Sequence, residues 1–179
     1  MTGPNASGKG AVCAFLQTLG FEVFSLSDVI RDEARRRGLP PEREHLIRLG
    51  NEMREAAGPG ALATGMLDKL GARAVIDSIR NPAEVAVLRT LPRFVLLGIR
   101  APVELRFARS LERARPGDPA SLEGFKDREA QENSTDLAAQ QLDATFALSD
   151  RFLDNDGNLD QLGTRIGRLL DELGISTDV

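Results

Sequence analysis

Eight residues near the start of the chain, Gly3-Pro4-Asn5-Ala6-Ser7-Gly8-Lys9-Gly10, have a spacing with a specific chemical use. They fit G-x-x-x-x-G-K, the phosphate-cradling P-loop. Glycines let the backbone take positive φ and come close to an anion. Successive N–H groups then point inward, and the helix that follows adds its positive N-terminal end. Lys9 supplies a mobile ammonium for the β and γ oxygens of a bound polyphosphate. The Ser or Thr that ordinarily follows the lysine and binds Mg²⁺ is Gly10 here, followed by Ala11. A metal at this loop therefore has to rest on phosphate oxygens, water and a carboxylate from elsewhere. Asp77 is the candidate carboxylate. It ends the apolar run Ala74-Val75-Ile76, the arrangement that sets an acid beside a phosphate cradle to hold Mg²⁺ through water.

The surrounding pattern supplies the elements that position these groups. Val12, Phe15, Leu16 and Leu19 form one helical face, which Gly20 ends. Residues 21–25 read as a strand, and Ser27 reads as the N-cap of a helix to Arg37. Helices are expected over 42–56 and 61–70. Strands are expected at 74–77, 94–99 and 151–153. The unbroken apolar run 94–99 signals a strand covered on both faces. Pro82 opens a helix to Leu88, a further helix spans 101–113, and a polar helical stretch covers 121–148. A last helix carries Leu159, Leu162, Ile166, Leu169 and Leu170 inward. Strands alternating with helices give an α/β fold with a parallel sheet.

In order and spacing, Gly3 to Gly10, Ser27-Asp28-x-x-Arg31, Asp77-x-x-Arg80 and Glu104-Leu105-x-x-x-Arg109-x-x-x-Arg113 resemble the adenylate-kinase-like branch of the P-loop kinases. The stretch Arg151-Phe152-Leu153-Asp154-Asn155-Asp156-Gly157 is more similar to dephospho-CoA kinase and related archaeal-type nucleotide kinases of unassigned substrate. The resemblance implies a three-layer α/β/α P-loop domain over 1–179, with a helical acceptor-binding region at about 26–71 and a short helical lid at about 113–135. It implies ATP and Mg²⁺ as cofactors and a small nucleotide as acceptor. The donor would rest on Gly3, Pro4, Asn5, Ala6, Ser7, Gly8, Lys9, Gly10 and Ala11, with Asn155 and Gly157 lining its base through the backbone. Ser27, Asp28, Arg31 and Arg80 would take the acceptor. Arg109, Arg113 and Arg128 would approach the transferring group from the lid, where guanidinium groups spread developing charge. A nucleoside monophosphate is the first acceptor implied, and the 3′-hydroxyl of dephospho-CoA the second. The missing P-loop hydroxyl also leaves open a nucleotide-binding module with little or no turnover.

Composition narrows the field. A net charge of −4 over 179 residues gives no support to a nucleic-acid or membrane-surface role. One cysteine, Cys13, excludes a disulfide framework and a cysteine-based zinc site, and it reads as core of the first helix. The lone His45 reads as a surface residue. No apolar run approaches spanning length and no signal peptide is visible, so a cytoplasmic enzyme is expected. Only Met1 and Thr2 precede Gly3, which leaves no room for the central strand that leads into a P-loop. The sequence therefore predicts a gap beside the strands at 74–76 and 94–99, and a natural start some 6–10 residues upstream. That expectation follows from burial, since four or five absent apolar side chains at roughly 1.5–3 kcal/mol each approach the stability of a whole domain.

Overall fold

The apolar runs become strands and the 3.6-period segments helices. The computed structural model describes residues 1–114, 117–131, 133 and 136–176. In chain order the elements are α1 (Lys9–Thr18), β1 (Glu22–Ser25), α2 (Leu26–Arg36), α3 (Arg43–Ala57) and α4 (Ala61–Thr64). They continue with β2 (Ala74–Asp77), α5 (Pro82–Leu88), β3 (Leu97–Arg100), α6 (Val103–Arg113), α7 (Leu122–Gln131), α8 (Leu142–Ala147), β4 (Arg151–Asp154) and α9 (Leu159–Glu172).

β1 pairs in parallel with β2, in the register Ser25 to Asp77, and β3 with β4, in the register Arg100 to Asp154. Met1 and Thr2 stand between the two pairs. The Thr2 N–H donates to Leu97 O and the Ile99 N–H donates to Thr2 O, both at 3.0 Å. On the other side the Met1 ammonium donates to Ile76 O, and Met1 O accepts from the Ile79 N–H at 3.3 Å. The space expected to be empty is thus bridged over two residues, giving the order β1, β2, residues 1–2, β3, β4. A regular parallel ladder would join Met1 O to the N–H of residue 78. Here Ser78 is skipped and takes φ 63, so β2 ends in a one-residue bulge.

Alternate strand residues feed two cores, as expected of a sheet covered on both faces. Val75, Leu97, Ile99 and Leu153 pack with Val12, Leu16, Leu162 and Ile166 on the α1/α9 side. Ile76, Leu96 and Ile79 pack with Leu26, Leu49, Leu62, Val85 and Leu88 on the side of α2 to α5. Cys13 is buried in the first of these cores, as its helical face implied.

Four expectations change. The 61–70 helix is α4 followed by a 3-10 turn at Leu67–Lys69. The cap of α2 is Ser25, whose hydroxyl accepts from the Ser27 N–H at 3.3 Å. The 94–99 strand pairs only over 97–100, because the Leu96 N–H bonds the Asp150 carboxylate and Phe94 packs into the second core. The 121–148 stretch is two helices, interrupted where the Gln141 N–H donates to Arg80 O and Asn81 Nδ2 donates to Leu137 O and Ala139 O. Those bonds outweigh the local helical preference. Of the expected lid, residues 115–116, 132 and 134–135 lie outside the described residues.

Candidate active site

The P-loop occupies the turn between residue 2 and α1. Gly8 takes φ 96, and a Cβ there would lie 1.8 Å from Asn155 Nδ2, so only glycine fits. Gly3 takes φ 141 with Ile99 O 2.5 Å from where a Cβ would be. No side chain caps α1, which leaves its first N–H groups facing the loop. Lys9 Nζ lies back over the loop and donates to Gly3 O at 2.7 Å and Pro4 O at 3.0 Å. Burial pushes its ammonium down from 10.5 to about 8, against the pull of the Asp77 carboxylate and with the push of the Arg80 and Arg106 guanidinium groups.

Around this loop sit buried polar atoms with no protein partner. Three are Ser7 Oγ, Arg109 Nη1 and Arg113 Nε, groups that can donate to an anion; the fourth, Asp77 Oδ1, suits a metal-bound water. Buried polar groups in native proteins are almost always satisfied, so an orphaned set of this kind points to a ligand. The set fits a polyphosphate with its divalent metal.

The candidate residues gather in two places. On the α6 side, Arg113 Nη2 donates to Asn5 Oδ1 at 3.4 Å and to Asp118 at 2.9 Å, and Arg109 Nη2 donates to Asn155 Oδ1 at 3.5 Å. Asn155 Nδ2 donates to Ser7 O at 2.9 Å, so this residue braces the P-loop through its side chain as well as standing at the start of the 155–158 turn. Gly157 lies in that turn against Gln161. On the α2 side, Ser27, Arg31 and Arg80 line a cleft of about 480 Å³ with Arg43, Leu46 and Ile47. Asp28 is exposed and holds Arg31 through an ion pair of 2.6 Å. Arg128 donates to Gly117 O and lines a larger neighbouring cleft of about 960 Å³.

Sequence reading missed several supports. Arg106 is buried, donates to Asn5 O and Ala101 O at 3.1 Å each, and pairs with Glu129 of α7, so it ties the P-loop to both flanking helices. Glu84, 0% exposed, accepts from Arg54 Nε and Nη2 at 3.0 and 2.9 Å on one oxygen. Its other oxygen accepts from the N–H groups of Arg80 and Asn81 at 2.9 and 3.1 Å. The only local signal was Asn81-Pro82-x-Glu84, which is a capping box at the start of α5.

A family model described as "AAA domain" matches residues 2–126. A UPF0200 protein of Methanoregula boonei is 36% identical over 175 residues, covering 95% of this chain and 93% of its own. One from Hyperthermus butylicus is 32% identical over 177 residues, covering 97% and 92%. Among solved structures, TT1252 from Thermus thermophilus is 25% identical with a TM-score of 0.60, covering 96% of this chain and 95% of its own. Shikimate kinase from Bacteroides thetaiotaomicron shares the fold, with a TM-score of 0.59 at 15% identity over 97% and 96% of the two chains.

Proposed function

The chain belongs to the P-loop kinase-like family of that AAA domain model and to the UPF0200 proteins, and from this premise we propose that it moves the γ-phosphoryl group of ATP onto a small acceptor already carrying a phosphate, foremost a nucleoside monophosphate. The observation that supports the reading is that the P-loop Lys9 ammonium feels both the Asp77 carboxylate and the Arg80 guanidinium, and that Arg80 lines a cleft with Arg31. The cleft's volume of about 480 Å³ falls within the range of small-ligand sites.

The roles follow from the chemistry of each group. Lys9 and the loop amides hold the donor's β and γ oxygens. Asp77 would hold Mg²⁺ through water, and the metal would supply charge neutralisation for the donor phosphates. Arg31 and Arg80 clamp the acceptor phosphate, with Ser27 beside them and Asp28 steering Arg31. Arg109 and Arg113, already against the P-loop, face the charge that develops during transfer. Arg128 lines the larger cleft that neighbours the Arg31/Arg80 cleft.

The test is ADP release with ATP and Mg²⁺ against a panel of ribo- and deoxynucleoside monophosphates and dephospho-CoA. Turnover that depends on one of these acceptors is expected. ADP release no faster than with ATP alone would leave a nucleotide-binding module. Arg31→Ala and Arg80→Ala are each expected to raise the acceptor KM about ten- to hundredfold, the equivalent of a lost hydrogen bond to a charged group at about 1.5–3 kcal/mol. The ATP KM should barely move; a change confined to ATP would reassign both arginines to the donor side.

Lys9 also sets a pH dependence. Its ammonium loses its proton near pH 8 in the free protein and is needed to hold phosphate. Bound anion favours the charged form, so the complex has the higher pKa. ATP affinity is therefore level below about pH 8 and falls above it, by up to about tenfold per pH unit. Equilibrium titrations at pH 7, 8.5 and 9.5 check this, and equal affinity across the three would show that Lys9 does not titrate there.

A further inference from the structure

The P-loop offers no hydroxyl at Gly10 or Ala11, and space stays open around Gly10, where a Cβ would meet nothing within 4 Å. Two hydroxyls lie instead at the ends of β1 and β2. Ser25 Oγ accepts from the Ser27 N–H at 3.3 Å and donates to Ser78 Oγ at 3.3 Å, and Ser78 Oγ donates to Asp77 Oδ2 at 3.4 Å. The direction is fixed from the carboxylate end. The Asp77 carboxylate can only accept, so Ser78 turns its proton to it, and Ser25 then donates to Ser78 while accepting from the Ser27 amide. The line ends on one oxygen of Asp77 and leaves Oδ1, the other, buried without a partner.

Ser78 takes part at a conformational cost. It is the bulged residue of β2 and takes φ 63, a region that non-glycine residues enter with strain. The bulge places its hydroxyl between Asp77 and Ser25. A residue kept strained where glycine would be relaxed, with its hydroxyl engaged at both ends, points to a function for that hydroxyl.

We propose that Ser25 and Ser78 are positioning residues for the metal: their hydroxyl relay locks the Asp77 carboxylate so that Oδ1 faces the water shell of a nucleotide-bound divalent cation, making good the hydroxyl absent from the P-loop. The relay begins at the α2 amide beside Asp28 and Arg31, so it joins the acceptor wall to the metal side. This rests on the reading of Asp77 given under the proposed function.

The experiment titrates Mn²⁺ by electron paramagnetic resonance into the whole protein with a non-hydrolysable ATP analogue, alongside thermal melts. Parent, Ser78→Gly, Ser25→Ala and the double variant are compared, and ADP release by the parent is measured in parallel. Ser78→Gly is expected to hold Mn²⁺ about tenfold more weakly, the low end for losing a partner outside the ligand shell. Its Tm should equal or exceed the parent's, because glycine takes φ 63 freely. A purely structural serine would not separate the two readouts. Ser25→Ala should weaken Mn²⁺ in the same direction while losing its helix cap. The double variant should be no weaker than Ser78→Gly, since Ser25 acts only through Ser78. Mn²⁺ affinity in Ser78→Gly within about twofold of the parent would overturn the relay, as would a double variant as weak as the product of the single losses. Tight Mn²⁺ binding by a parent that releases no ADP with any acceptor would sink phosphoryl transfer and leave the relay standing. A parent that retains no Mn²⁺ with the analogue would sink both.

Discussion

Lys9→Ala is expected to lower acceptor-dependent ADP release on the order of 10²–10⁴-fold, the scale for removing one charged contact to a transition state. The fold should survive. Lys9 makes its hydrogen bonds to the carbonyls of Gly3 and Pro4 within its own loop and reaches neither core cluster. Burial holds its ammonium well below the ordinary lysine value, so the folded state gains nothing from charging it near neutral pH. Melts of the variant should match or exceed the parent while equilibrium titration shows weakened ATP. A purified variant turning over at the parental rate would end the P-loop reading of the site.

The second large effect falls on stability. Glu84→Ala should cost about 3–5 kcal/mol, because it leaves the Arg54 guanidinium buried without its counter-charge. Arg54 is 2% exposed, and the same carboxylate also satisfies the N–H groups of Arg80 and Asn81. At about 2–4 °C per kcal/mol for a chain of this size, Tm should fall by about 10 °C. An Arg54→Met, Glu84→Leu pair should recover part of the loss, since it removes the stranded charge. Urea unfolding of the two variants checks the sign and the order. A Glu84→Ala protein as stable as the parent would mean that Arg54 reaches water once its partner is gone.

What the sequence disclosed and what it hid divide by range of interaction. The P-loop, the carboxylate ending β2 and the Arg-bearing turns are local, and residue type with short spacing carries them. Strand and helix alternation likewise gave the α/β class, which the parallel pairs bear out. Arg106 was opaque because its partners Asn5 and Glu129 lie 101 and 23 residues away, and Arg54 and Glu84 because they lie 30 residues from each other. Each on its own reads as a solvated charge on a helix. Asn155 was expected to act through its backbone, whereas its side chain reaches Ser7 across 148 residues. The break at residues 137–141 was hidden for the same reason, since a polar stretch shows no interruption until the Arg80 and Asn81 groups that hold it are known.

The two-residue bridge at the middle of the sheet has a mechanical meaning. The β1/β2 half leads into Arg31 and Arg80, and the β3/β4 half leads into Arg109, Arg113 and Asn155. Across the described residues, the peptide groups of Met1 and Thr2 make the backbone bonds between these halves, and the next residue opens the P-loop. These bonds fix the position of residues 1–2 against both halves at once, so the start of the P-loop is held by Ile76 and Ile79 on one side and by Leu97 and Ile99 on the other. On the reading proposed above, a shift of these two residues would change the spacing of donor and acceptor together.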